Sequence, residues 1–200
     1  MILPKQRVYA IVPQHGPSIE SERLLLRPVE DSDATALFGI RSLPEVAAMN
    51  WPKEPFKSIE QTRAWMSTKI FTAGPSDVIG RSFNYAIIDK SSPNPQRVIR
   101  YLSINQVAPY PEIGYSLHPG SWGKGIATEA LQLMLKMWWA LPRRKQNEDE
   151  PQPNEPEKAF ALCEKINFGS HRVLEKCGFK LIGEYSYGGD ALFVFALEKP

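Results

Sequence analysis

Apolar residues along this chain recur with two periods, one of a strand and one of a helix. Ser82 to Asp89 carries Phe83, Tyr85, Ile87 and Ile88, Val98 to Val107 is similarly apolar, and Ile113 to His118 follows. The turns between them, Lys90 to Pro95 and Pro109-Tyr110-Pro111, are rich in proline and polar residues. Short apolar runs bounded by such turns predict an antiparallel meander. Before it, Arg23-Leu24-Leu25-Leu26-Arg27-Pro28 reads as a strand closed by proline. Asp31-Ser32-Asp33 offers N-cap chemistry to a helix carrying Ala36, Leu37, Phe38 and Ile40. Pro44 to Phe56 holds three prolines and reads as a loop. Ser58 with Gln61 three residues on forms a capping box for a second helix, whose buried face is expected to hold Trp65, Met66, Ile70 and Phe71 before Gly74-Pro75 stops it.

The second half changes rhythm. From Ile126 to Ala140, Ala127, Ala130, Leu131, Met134, Leu135 and Trp138 fall at helical spacing, and Pro142 ends the run. Phe160 to Cys163 is a short strand, and Asn167 to Cys177 a helix with Asn167 at its cap and Gly178-Phe179 as its stop. Leu181 to Glu184 and Ala191 to Leu197 complete the strands. A meander followed by a strand-helix-strand half predicts an α+β domain, a mixed sheet with helices on its faces. Residues 1–18 form an N-terminal extension, either an arm on the domain or a loose tail, and 19–200 a single domain. The run 143–158, charged and proline-rich without an apolar anchor, is expected to be a mobile surface insertion.

Composition narrows the function classes. Twenty-four basic and 22 acidic residues leave a formal charge of +2, which gives no electrostatic footprint for nucleic acid. No apolar run approaches a membrane span and no secretory h-region opens the chain, so the protein is expected to be cytoplasmic, without a membrane partner. Cys163 and Cys177 are expected as small buried hydrophobes. Neither they nor His15, His118 and His171 have metal-ligand spacing, so no metal is expected.

The chemistry concentrates in Gly120-Ser121-Trp122-Gly123-Lys124-Gly125, which lies between a strand and an amphipathic helix. The first N–H groups of a helix lack internal partners and carry partial positive charge, and glycines let a backbone approach a ligand. Together they suit a pyrophosphate. The loop lacks the third small residue and ribose-binding acid of a dinucleotide fold, and no P-loop pattern occurs.

Glu112 to Pro119, followed by Trp122-Gly123-Lys124-Gly125-Ile126-Ala127-Thr128-Glu129-Ala130-Leu131, closely resembles the acetyl-CoA motif of the GCN5-related N-acetyltransferase (GNAT) superfamily. Asn167 to Phe179, with Asn167, Ser170 and a Leu174-Glu175-Lys176-Cys177-Gly178-Phe179 ending, resembles the Rim-type branch, as does Arg23 to Pro28. The likeness covers roughly 20 to 198. It implies the GNAT fold, a central mixed, mostly antiparallel sheet with helices on both faces and strands splayed at the acetyl-CoA site. It further implies an acyltransferase that moves an acetyl group from acetyl-CoA to a primary amine, on a protein N-terminus or a small molecule. The alternative is a non-catalytic CoA-binding module of the same fold, and a homodimer is left open.

By the same resemblance, the amides of Trp122, Gly123, Lys124, Gly125, Ile126, Ala127 and Thr128 would hold the pyrophosphate. Backbone groups of Leu117 and His118 would bind the pantetheine arm and thioester carbonyl, and Asn167 the pantetheine amide. Ser170 is the candidate proton donor to the thiolate, and Glu112, at the strand start, the candidate general base. Attack by the amine would be direct, without an acyl-cysteine. The sequence departs from the pattern at Gly120, where relatives often carry Gln or Arg, and in the length of the 143–158 insertion. His171-Arg172 is placed either near the CoA 3′-phosphate or simply at the surface. Trp51 and Phe56, in the variable segment 41–57, either line an acceptor pocket or pack in the core.

Overall fold

The computed structural model describes residues 8–92, 98–144 and 156–200. The strands are β1 (Ile19–Glu20), β2 (Leu24–Pro28), β3 (Phe83–Asp89), β4 (Val98–Gln106), β5 (Glu112–Leu117), β6 (Lys158–Glu164), β7 (Lys180–Tyr187) and β8 (Asp190–Glu198). The helices are α1 (Ala34–Arg41), α2 (Pro44–Ala47), α3 (Ile59–Ser67), α4 (Ile126–Ala140) and α5 (Phe168–Lys176). All eight strands join one sheet in the order β1-β2-β3-β4-β5-β6-β8-β7. Every pairing is antiparallel except β5 with β6, which α4 connects.

Strand alternation sorts the core onto two faces. Tyr85, Ile87, Leu102, Ile104 and Ile113 meet Ala130, Leu131, Met134 and Trp138 of α4. Their neighbours Ala86, Ile88 and Tyr101 point the other way, onto Leu37 and Ile40 of α1 and Val46 of α2. This is the α+β fold with helices on both faces that the pattern predicts. Residues 8–12 take the arm alternative. Val8, Ala10 and Val12 are buried, and the Ile11 and Arg144 N–H groups bond the Pro142 and Tyr9 carbonyls at 2.8 Å. Of the expected insertion, 145–155 lie outside the described residues.

Two local expectations are corrected. The 44–56 segment begins with the short helix α2, which has Pro44 at its first position, where a missing N–H costs nothing. Helix α3 ends at Ser67, so Ile70 and Phe71 are not on it. Ser67 Oγ and Thr68 Oγ1 each donate to carbonyls three residues back at 2.7 Å, closing the last turn. Phe71 is still buried, its backbone bonded to Arg81 and Gly80, whereas Ile70 is exposed.

The α3 cap differs in one partner from the expected box. Ser58 Oγ accepts the Gln61 N–H at 3.1 Å, but Gln61 Oε1 accepts from Lys57 N, at 2.8 Å. Ser58→Ala is expected to cost about 1 kcal/mol and to lower Tm by about 2–4 °C in thermal unfolding.

Candidate functional site

β5 and β6 pair only at Glu112–Phe160 and Ile113–Ala161. Beyond those residues β5 stays bonded to β4 as far as Leu117, and β6 to β8 as far as Glu164. The two inner edges therefore part while each strand keeps its outer partner. The Tyr115 hydroxyl spans from β5 to α5, donating to the Ser170 carbonyl at 3.4 Å. The parting opens a groove of about 1110 Å³ through the sheet. Its walls include the α4 entry loop and α5 toward one face, and Arg41, Trp65 and Lys69 toward the other.

At the loop end, Pro119–Ser121 make a single tight turn, with His118 Nδ1 accepting the Gly120 N–H at 3.1 Å. Trp122 folds back on the strand. Its N–H bonds the Pro119 carbonyl at 2.9 Å, and its indole N–H bonds the Leu117 carbonyl at 3.1 Å. Two groups expected to face the cofactor, the Trp122 amide and the Leu117 carbonyl, are thus engaged inside the protein. Gly123 and Gly125 take φ values of +73° and +74°, a region that disfavours side chains, and Gly125 caps α4. The α4 ladder opens with the Glu129 N–H bonded to the Gly125 carbonyl at 3.1 Å. The N–H groups of Ile126, Ala127 and Thr128 precede that first bond.

The space above this cradle is open. A Cβ at Gly123 would meet nothing within 4 Å, and one at Gly125 only Arg23 Nη2 at 3.9 Å. Lys124 is exposed, its carbonyl 3.5 Å from Arg23 Nη1. Arg23 also pairs with Glu129, which accepts from Ser21 Oγ at 2.5 Å, fastening the first turn of α4 to the turn between β1 and β2.

On α5, Asn167 Oδ1 accepts the Ser170 N–H at 3.0 Å, so it caps the helix as expected, and both residues line the groove. His171 turns inward. Its Nε2 donates to the Glu164 carbonyl at 3.0 Å and its ring lies against Phe193 and Phe195, leaving it half-buried. Arg172 is exposed on the groove wall. Cys163 and Cys177 are half-buried, not fully buried, and Cys163 lines the groove. Burial pushes their thiols up to about 12 and about 11, which keeps both protonated at neutral pH.

At the other end lies Glu112, which is not the exposed strand-end carboxylate its position suggests. It accepts from Gln106 Nε2 at 3.2 Å, and desolvation raises its pKa above the ordinary glutamate value against the pull of Asn105, Lys69 and Tyr110. Lys69 Nζ donates to Asn105 Oδ1 at 3.2 Å, and burial beside Arg41 pushes its pKa down to about 8. Asn105 in turn lies over Gly114, where a Cβ would come within 2.1 Å of its Nδ2. Trp51 is 56% exposed on the groove rim, with its ring over Gly188, while Phe56 is buried under the Arg41 guanidinium. Lys53 reaches Glu164 and Asp190, both at 2.8 Å, tying the Trp51 segment to β6 and β8.

Sequence reasoning missed Arg41, Lys69 and Tyr115. Arg41 and Lys69 sit at or just beyond helix ends, where a cation normally reads as a solvated complement to the helix dipole. Only the tertiary fold buries them.

A family model described as an acetyltransferase (GNAT) domain matches residues 23–180. The uncharacterized N-acetyltransferase YoaA of Bacillus subtilis is 30% identical over 190 residues, covering 92% of this chain and 98% of its own. An acetyltransferase of the GNAT family from Bacillus anthracis has a similar structure, with a TM-score of 0.68 at 22% identity over 92% of this chain and 99% of that one. So has RimL, a ribosomal L7/L12 α-N-protein acetyltransferase in complex with coenzyme A, at a TM-score of 0.67 and 20% identity over 91% and 98%.

Proposed function

The chain belongs to the GNAT acetyltransferase family, and on that premise we propose that it transfers the acetyl group of acetyl-CoA to a primary amine by direct attack in a ternary complex. The observation that carries this reading is the parting of β5 from β6 directly beside the glycine-bearing start of α4. A cradle whose two glycines open onto free space, at the positive end of a fifteen-residue helix, fits a pyrophosphate. The N–H groups of Gly123, Lys124, Gly125, Ile126, Ala127 and Thr128 would hold it. The remaining free backbone groups of β5 beyond Ile113, with those of His118 just past its end, would bond the pantetheine arm, with Asn167 Nδ2 opposite.

The acceptor nitrogen would then attack the thioester carbonyl carbon, with backbone N–H groups near Leu117 stabilising the oxyanion. Glu112 would take the amine proton. As the carbon–sulfur bond breaks, the Ser170 hydroxyl would protonate the thiolate and recover its proton from solvent. Thiols held protonated at Cys163 and Cys177 support direct attack over an acyl-cysteine.

The test is calorimetric titration with acetyl-CoA, followed by thiol release in the presence of amine panels. Saturable binding with amine-dependent thiol release supports the reading. Binding without release for any amine would leave a CoA-binding module in its place, and no binding to the folded protein would sink both.

A further inference from the structure

The acceptor end of the groove contains a charge with no answer in the protein. Arg41 is 4% exposed, and its Nε and Nη2 have no hydrogen-bond partner. Among the described residues no carboxylate pairs with it, and its guanidinium rests on the rings of Phe56 at 4.5 Å and Trp65 at 5.2 Å. Beside it is Lys69, close enough that the two cations disfavour each other. The other acids of the groove are spent, since Glu164 and Asp190 are both held by Lys53. That leaves Glu112 as the one groove carboxylate not held by Lys53, and its charge acts on Lys69. A second unpartnered polar atom points to the same side. Ser116 Oγ is buried and unbonded, and the β4–β5 register sets Ser116 opposite Tyr101, on the face that packs against α1.

A buried guanidinium without a partner is costly unless something completes it. Ring contacts offset part of that cost and leave the in-plane N–H groups unanswered. With Glu112 ionised and both cations charged, the cluster sums to a single positive charge. One monoanion neutralises it, whereas a dianion such as a phosphate would meet Glu112. A polyamine would be repelled. Distance fixes the scale of the ligand. Lys69 is bonded to Asn105, and Asn105 lies on Gly114, the first β5 residue beyond the paired ones. Lys69 therefore sits one side chain away from the opening between the strands.

We propose that the acceptor is a short molecule or segment carrying a carboxylate close to its reactive amine, with Arg41 binding that carboxylate and Lys69 and Ser116 assisting. This rests on the acetyl-transfer reading. It adds that an amino-acid-type acceptor is selected, with Arg41 deciding specificity.

The experiment compares matched acceptors with acetyl-CoA held saturating. One arm uses the free amino acids against their C-terminal amides, which share the amine and lose the charge. A second uses dipeptide amides with Asp or Asn at the second position, which separates a side-chain carboxylate from an α-carboxylate as the source. The expected result is a preference of about tenfold to a hundredfold in kcat/KM for the charged member of at least one pair, the worth of a charge-assisted bond. Arg41→Gln should remove that preference by raising KM for the charged member alone. Lys69→Gln, at a half-buried site, should reduce it, which keeps the test decisive if Arg41→Gln does not fold. Equal use of charged and amide partners, or equal loss of both in either variant, overturns the proposal. So does a wild type that binds acetyl-CoA yet turns over only amines lacking a carboxylate, and this last outcome leaves acetyl transfer intact.

Discussion

Replacing Gly125 by Glu is expected to abolish measurable acetyl-CoA binding while the protein stays folded. The substitution acts twice at one position. Gly125 sits at φ +74°, where a side chain costs about 1–2 kcal/mol through contact with its own backbone. Its missing Cβ would meet only Arg23 Nη2, at 3.9 Å, so the position has room for a side chain to begin. The new carboxylate instead stands where the diphosphate would lie. Two like charges about 4 Å apart at an effective dielectric of about 20 repel by about 4 kcal/mol, close to a thousandfold in affinity. Gly80 supplies the control for backbone strain. It has φ +84° and nothing within 4 Å of its would-be Cβ, and it does not start a helix. Gly80→Glu should show a similar fall in Tm and bind acetyl-CoA as the wild type does. Calorimetry on the three proteins decides the matter: if Gly125→Glu binds within about tenfold of Gly80→Glu, the cradle is not the diphosphate site.

Much of this architecture is legible in the chain because its signals are local. Alternation in Ser82 to Asp89 divides Tyr85 and Ile87 from Ala86 and Ile88, and the two sets do reach opposite cores. Gly178-Phe179 closes α5 as its residue types demand. The Phe179 N–H bonds the Leu174 carbonyl at 3.0 Å, and Phe179 itself is buried. The end of α3 was not legible, because Ser67 and Thr68 stop it through their own hydroxyls where the apolar spacing continues to Phe71. Trp51 reads from the sequence either as a pocket wall or as a core residue. The fold leaves it on the groove rim because Lys53, two residues on, is anchored across the groove to Glu164 and Asp190. His171 reads from the sequence either as a residue beside the CoA 3′-phosphate or as a surface one, and no spacing foretells that its ring packs against Phe193 and Phe195. The Arg41 end of the groove was the least legible region. Arg41, Lys69 and Glu112 come from α1, the segment after α3 and β5, and no spacing in the sequence links them.

Glu112→Gln should separate catalysis from stability, with the two moving in opposite directions. As general base, Glu112 must be ionised to take the amine proton, and removing such a group lowers kcat by about 10²–10⁴-fold. Its carboxyl is raised above the ordinary glutamate value, chiefly by desolvation. The ionised fraction, and with it kcat/KM, should therefore rise with pH through a limb displaced above the usual carboxylate range. The glutamine variant should lack that limb. The same shift carries the reverse sign for folding. Between the unfolded pKa and the raised folded one, the native state holds a proton that the unfolded chain has released, so stability declines as pH rises through that window. Above the folded pKa the whole cost of burying the charge is present. Glutamine keeps the size and an acceptor oxygen, and it removes that cost, so at neutral pH Glu112→Gln should melt at or above the wild-type temperature. A purely structural carboxylate bonded to Gln106 would behave otherwise, since its loss would lower Tm and leave the acid limb in place. Kinetic pH profiles and thermal melts on the same two proteins distinguish these roles, and a variant that keeps wild-type kcat excludes Glu112 as the base.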